Sequence, residues 1–266
     1  MTTTTTDFAT ATTVAYSTSE LLAVTSARAL LGRRLVFAGI GIPTVAVALA
    51  RATTSPDLHQ VFESGVCGAH PHRLPQTVAD APLATGAECI LSMHALFGHV
   101  LQGGHIDVGF LGAAQIDRFG SLNSTVIGDY AKPTVRLPGS GGAVEVMANA
   151  HEVFVVLRRH TPRALVDRLD FCTSPSPRRA QVHDPRVRTR GSGVTTLITE
   201  LGIFRADSTG ELVLTTVQPE VTVDQVIAAT GWDLKVADDV AVNEAPSSDE
   251  LALLRTEIDP TRVYLR

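Results

Sequence analysis

An α/β fold, with a mostly parallel sheet and helices on both faces, is what this 266-residue sequence predicts. Three observations carry that reading. Short β-branched or aromatic runs alternate with helix signals along the chain. The run Val108–Leu111 is apolar throughout, as a strand covered on both faces requires. Three capping boxes, Ser17-Thr18-Ser19-Glu20, Thr222-Val223-Asp224-Gln225 and Ser247-Ser248-Asp249-Glu250, mark places where a side chain can satisfy the free N–H groups of a helix start.

The elements follow in order. The first box opens a helix carrying Leu21, Leu22, Val24, Ala27, Leu30 and Leu31, and Gly32 stops it. A strand at 35–38 leads into Gly39-Ile40-Gly41-Ile42-Pro43, a turn after which Pro43, with its preset φ, suits the start of a helix over 45–51. Residues 60–63 form a second strand, 95–101 a helix ended by Gly103 and Gly104, and Val108–Leu111 the next strand. Strands at 153–157, 195–199 and Leu212–Val217 complete the sheet, and the second and third capping boxes open the last two helices, the former ending at Gly231. Residues 173–193, rich in Pro, Arg, Ser and Gly, read as an unusually long irregular connector, either mobile, partner-bound or wrapped over the surface.

Residues 1–16 read as a disordered tail and 17–266 as a single domain. The threonine-rich start lacks Lys and Arg and a long apolar core, so it reads as a floppy tail instead of a signal or transit peptide. The apolar stretch 35–50 is broken by Pro43 and falls short of the ~20 residues a membrane helix needs, so no spanning segment is expected. Three cysteines, Cys67, Cys89 and Cys172, give neither metal-ligand spacing nor an even count, which points to reduced cytoplasm.

Net charge is −5, yet residues 158–190 hold nine arginines against Asp167, Asp170 and Asp184. Such a stretch can meet the phosphates of nucleic acid or of a cofactor, or it can be a solvated or subunit-facing surface. Four prolines and no interleaved aromatic beyond Phe171 favour the surface, and no nucleic-acid partner is expected.

Other chemistries are excluded in turn. The Gly39-Ile40-Gly41 turn fails the dinucleotide fingerprint, because Thr44 stands at the third glycine position and Pro43 removes an N–H that a pyrophosphate needs. It suits better a tight turn that another backbone or a thioester can approach closely. His70 and His72 have no third ligand in view, so no metal is assigned. No Gly-x-Ser-x-Gly elbow occurs.

There is also Glu63, in Val61-Phe62-Glu63-Ser64-Gly65, where a strand meets a glycine turn; taken alone, a Glu at a strand end is most often a plain surface residue. Seventy-six residues later stands Gly139-Ser140-Gly141-Gly142-Ala143. A carboxylate is a nucleophile for acyl transfer once desolvated. Glycines permit the φ angles that aim successive N–H groups into one anionic concavity, so Gly141, Gly142 and Ala143 are the candidate oxyanion donors. The alternative for the cluster is a flexible turn before 144–148.

Over roughly 17–259 the chain resembles the β subunit, or β half, of family I coenzyme A transferases. The resemblance rests on Glu63-Ser64-Gly65, on Gly39-Ile40-Gly41-Ile42-Pro43, and on a block from Leu101-Gln102-Gly103-Gly104 through Asp107-Val108-Gly109-Phe110-Leu111-Gly112-Ala113-Ala114-Gln115-Ile116-Asp117. The block continues through Asn123-Ser124-Thr125-Val126-Ile127-Gly128-Asp129-Tyr130 to Arg136-Leu137-Pro138-Gly139-Ser140-Gly141-Gly142-Ala143. The closing order Val221-Thr222, Gln225-Val226-Ile227, Thr230-Gly231-Trp232 is similar as well. These runs are most similar to the 3-oxoadipate branch, and the central block is also similar to the glutaconate branch.

The resemblance implies the CoA-transferase β-subunit type of fold, Glu63 as nucleophile, and an acyl-CoA pocket lined by Gly39 and Gly41 beside Gly141, Gly142 and Ala143. It implies no tightly bound cofactor: a coenzyme A thioester is the substrate. CoA passes from succinyl-CoA to a dicarboxylic acid such as 3-oxoadipate through a glutamyl-CoA thioester on Glu63. A separate α subunit completes the enzyme, as α2β2. A glutaconate-type transferase, or an acyl-CoA hydrolase or lyase on the same scaffold, is the alternative. Two departures from the family's pattern stand out: residues 176–193 are short and arginine-rich where relatives carry Gly-Leu-Pro-Gly, and Cys67 stands where relatives often have an aliphatic residue, either shaping the pocket or, the favoured reading, filling space as a small hydrophobe.

Overall fold

The computed structural model describes residues 14–266; most of the tail expected at 1–16 lies outside the described residues. Among the described residues fourteen strands form in chain order: β1 Leu35–Phe37, β2 His59–Val61, β3 Val66–Cys67, β4 Cys89–Ile90, β5 Val108–Leu111, β6 Gln115–Ile116, β7 Leu122–Asn123, β8 Val126–Gly128, β9 Pro133–Arg136, β10 Glu152–Leu157, β11 Val194–Thr199, β12 Gly202–Ala206, β13 Leu212–Val217 and β14 Val236–Val242. The helices are α1 Thr18–Arg28, α2 Ile42–Ala52, α3 Met93–Ala95, α4 Ala143–Asn149, α5 Pro177–His183, α6 Val223–Ala229 and α7 Ser248–Leu253. Leu96–Leu101 extends α3, and Leu254–Ile258 extends α7, as wider π-helical turns.

Ten strands make one sheet in the order β14-β13-β12-β11-β10-β5-β1-β2-β3-β4. Its five central strands, β11-β10-β5-β1-β2, are mutually parallel. Antiparallel hairpins extend both edges: β3 and β4 on one side, β12 and β13 on the other, with β14 parallel to β13.

Alternation along the central strands sends neighbouring side chains to opposite faces. Phe37, Val153, Val155 and Leu197 join one core with Leu96, Leu101, Val146 and Met147, whereas Val36, Val108, Phe110, Phe154 and Ile198 join the other with Leu22, Val45, Leu49 and Leu254. Helices therefore cover both faces, each buried Phe or Leu contributing about 1.5–3 kcal/mol of transfer free energy. All three capping boxes form, with Ser17, Thr222 and Ser247 each accepting from the backbone of Glu20, Gln225 and Glu250.

The chain runs from β1 outward to β2, then returns to place β5 on β1's other side before moving away to β10. The strand order thus reverses between β1 and β5, and open α/β sheets bind ligands outside the carboxyl ends of the strands at such a point.

One expectation is corrected. The connector 173–193 is not wholly irregular: Ser176 caps α5, and Pro177 sits at its start, where the missing N–H costs nothing. The region 144–148 after the glycine cluster is the helix α4. Among the described residues no helix is long and apolar enough to cross a membrane, and no three His, Cys, Asp or Glu side chains converge as metal ligands.

Candidate active site

Glu63 stands in the turn of the β2–β3 hairpin. Phe62 N–H donates to Val66 O and Gly65 N–H returns to Phe62 O, both at 2.9 Å, so the chain reverses within Glu63 and Ser64. Gly65 makes the reversal possible: its φ is +93°, and an added Cβ would run into the Leu91 carbonyl. The side chain leaves the carboxyl end of β2, one strand from the switch point, and is half-buried.

Across the sheet, the Gly142 N–H donates to Glu63 Oε1 at 3.1 Å. Gly142 immediately precedes α4. A Cβ on it would lie 3.2 Å from Glu63 Oε1 and 2.7 Å from Phe97 Cζ, so the carboxylate and an aromatic ring leave room only for a hydrogen. Gly141, at φ +46°, would meet Glu63 Oε1 at 3.6 Å. The structure therefore brings Glu63, Gly141 and Gly142 together.

Ala143 is different: its N–H is spent on Ser140 O at 2.9 Å, closing a turn. Of the three amides proposed as oxyanion donors, this one is engaged elsewhere. The glycine loop is hydrogen-bonded to the chain around Ser124. Gly139 N–H donates to Ser124 O and Ser124 Oγ donates to Gly139 O, both at 2.8 Å. Thr173 Oγ1 accepts from Ser124 N–H at 2.9 Å and meets Thr125 Oγ1 at 2.7 Å.

Gly39 and Gly41 lie at the carboxyl end of β1, beside the strand that leads to Glu63. Gly41, at φ +106°, precedes α2, and Thr44 Oγ1 donates to Gly39 O at 2.6 Å. An added Cβ at Gly39 would meet nothing within 4 Å, and at Gly41 only Pro43, at 3.8 Å, so the rim here is open. Neither glycine hydrogen-bonds to Glu63 among the described residues.

Phe97, Ser124 and Thr173 hold this geometry and were not singled out from sequence. Phe97 packs edge-on against Phe37, ring centroids 6.1 Å apart, from the π-helical turn after α3. Wide turns of this kind recur at functional sites but leave no periodic signature. Beside Glu63 the Ser64 hydroxyl is buried and has no hydrogen-bond partner among the described residues.

The arginine-rich stretch does not form one basic stripe. Arg158 reaches Ser19 and the Tyr264 carbonyl, Arg179 pairs with Asp117 at 3.1 Å, Arg186 pairs with Asp184 at 2.9 Å, and Arg178 lies over the Phe119 ring. His70 and His72 are exposed, and His70 lies against Arg51.

A carboxylate on a tight turn one strand from a parallel-sheet switch point, with a backbone N–H on one of its oxygens, has a geometry that suits acyl transfer. The chain belongs to the coenzyme A transferase family, whose model matches residues 25–229, and is an enzyme of that class. It is 45% identical to a 3-oxoadipate CoA-transferase subunit of Pseudomonas knackmussii over 91% of this chain and 93% of that one. It is 30% identical to a glutaconate CoA-transferase subunit of Acidaminococcus fermentans over 94% and 96% of the two chains. The crystal structure of glutaconate coenzyme A-transferase from the same organism matches the fold with a TM-score of 0.84 at 29% identity, covering 94% of this chain and 98% of that one.

Proposed function

We propose that this chain is the β subunit of a cytoplasmic CoA-transferase that moves CoA from succinyl-CoA to a dicarboxylic acid such as 3-oxoadipate, with Glu63 as the nucleophile. The observation that carries the mechanism is the hydrogen bond from Gly142 N–H to Glu63 Oε1. The substrate class follows the 45% likeness to a 3-oxoadipate CoA-transferase subunit.

The held oxygen defines the roles. With Oε1 fixed by Gly142, Oε2 attacks the thioester carbonyl, the CoA thiolate leaves, and an acyl-glutamyl anhydride results. The thiolate then attacks the Glu63 carbonyl carbon. In that tetrahedral intermediate the negative charge falls on the former carboxylate oxygen that stays with the side chain, which is Oε1, already on its donor. Expulsion of the first acid leaves a glutamyl-CoA thioester, and the second carboxylate reverses the sequence. Gly142 thus stabilises the oxyanion in the steps centred on Glu63 itself, a contribution worth about 3 kcal/mol for one well-placed donor.

The step centred on the substrate carbonyl needs donors elsewhere, and the exposed amide of Gly141 stands next to the site. Exposed apolar side chains lie on the elements that build it: Ile40 in the turn after β1, Ile90 and Met93 on either side of Leu91, whose N–H donates to Gly65 O, and Val144 in the first turn of α4. A separate α subunit packed there, in an α2β2 assembly, excludes the water that otherwise hydrolyses the intermediates.

The test is the mass of the peptide spanning Glu63. The chain with its α subunit is mixed with succinyl-CoA, with or without 3-oxoadipate or glutaconate. A gain on that peptide discharged by 3-oxoadipate supports this reading, and discharge by glutaconate alone supports the glutaconate type. Release of free CoA without any acceptor identifies a hydrolase, and an unmodified peptide removes Glu63 from the chemistry.

A further inference from the structure

All three thiols are free, and two of them meet. In the β3–β4 ladder Cys67 stands directly opposite Cys89, with Val66 opposite Ile90. Residues facing each other across an antiparallel pair lie about 4.5–5.5 Å apart at Cα, inside the ~4.4–6.8 Å that a disulfide spans. Side chains of residues paired in this way project from the same face of the sheet. Cys89 is exposed and Cys67 half-buried, so one sulfur is open to a reagent from solvent and the other is its internal partner.

The pair is joined to the turn that carries Glu63. Cys67 Sγ donates to the Gly65 carbonyl at 3.6 Å, and the same carbonyl accepts from Leu91 N–H at 2.9 Å. Gly65 closes the Glu63 turn through its own N–H to Phe62 O. An oxidised Cys67 has no S–H to donate, so the turn loses one contact while the strand leading out of it is fixed to its neighbour.

We propose that Cys67 and Cys89 are a reversible disulfide site whose oxidation slows acyl transfer at Glu63; the effect on rate rests on the assignment of Glu63 above. The oxidant is a small-molecule disulfide. Cys89 sulfur attacks it, forming a mixed disulfide and displacing one thiol. Cys67 sulfur then attacks the Cys89 sulfur and displaces the second. Two protein thiols become one disulfide, the reagent becomes two thiols, and the two protons end on those released thiols. Burial, and then the neighbouring Cys89 and Glu88, push Cys67 up to about 12. Ring closure is therefore slow near neutrality and faster in alkaline buffer, because the thiolate is the attacking form. Disulfides in a reducing compartment are usually of this transient, redox-sensing kind.

The experiment treats the chain, purified reduced with its α subunit, with oxidised glutathione, alkylates remaining thiols, and weighs the peptides while CoA exchange is assayed in parallel. The expected result is a Cys67–Cys89 joined peptide with Cys172 alkylated, formed faster in alkaline buffer. Exchange falls several-fold and is restored by dithiothreitol, and a Cys89→Ser variant keeps its activity under the oxidant. Separately alkylated Cys67 and Cys89, a mixed disulfide that stops at Cys89, or a joined peptide with unchanged exchange overturns the proposal. Reduced protein without exchange counts against the role of Glu63 and not against the cross-link, which mass alone reports.

Discussion

The Cβ that Gly142 lacks would lie 2.7 Å from Phe97 Cζ, closer than real carbon atoms approach. The ring thereby enforces glycine at the position whose N–H holds Glu63 Oε1.

Gly142→Ala forces Phe97 or the loop to move, so the donor shifts relative to the carboxylate. Loss of one oxyanion donor costs about 10²–10³ in kcat, and that loss is expected here in a steady-state exchange assay. Overpacking adds about 1–3 kcal/mol of destabilisation in a denaturant titration. Gly141→Ala is the control. Its Cβ makes an ordinary 3.6 Å contact, and it pays about 1–2 kcal/mol for the left-handed backbone without displacing Gly142.

Gly65→Ala acts on the turn itself. The position combines φ +93° with the Leu91 carbonyl where a Cβ belongs. The hairpin cannot close as built, and both the melting temperature and exchange are expected to fall together. In Gly142→Ala, by contrast, activity falls far more than stability.

His160 gives a pH prediction. It is buried, with Nδ1 2.9 Å from Thr199 Oγ1 and Nε2 3.0 Å from Thr230 Oγ1, and burial pulls it down to about 4. Free imidazole titrates near ~6.5. Between those values the unfolded chain binds a proton that the folded chain refuses. This stability is therefore fully present above pH ~6.5 and is lost as pH falls toward 4, by up to about 3 kcal/mol. Urea titrations across that window are expected to show the slope, and His160→Gln to flatten it.

The sequence shows much of this arrangement. Glu63 was legible through the resemblance carried by Glu63-Ser64-Gly65, since a Glu at a strand end is by itself most often a surface residue, and the glycine cluster because side-chain-free backbone invites an anion. The parallel core was legible because β5, β10 and β11 are long enough for composition to speak. Strands such as β3, β4, β6 and β7 are two residues each, too short to carry a period. Helix α5 buries none of its residues, so it lacks the apolar stripe that would distinguish it from the arginine-rich loop around it. The engagement of Ala143 N–H depends on the Ser140 carbonyl folding back, and the meeting of Cys67 with Cys89 on a hairpin register across 21 intervening residues. Neither is a local property.

The most direct measurement is CoA exchange between an acyl-CoA and a free acid by the Glu63→Ala subunit, purified in complex with its α subunit. Assembly is expected to survive, since Glu63 sits half-buried on a hairpin turn and contributes one hydrogen bond, accepted from Gly142 N–H, and exchange is expected to vanish. An assembled Glu63→Ala complex that still transfers CoA contradicts the account.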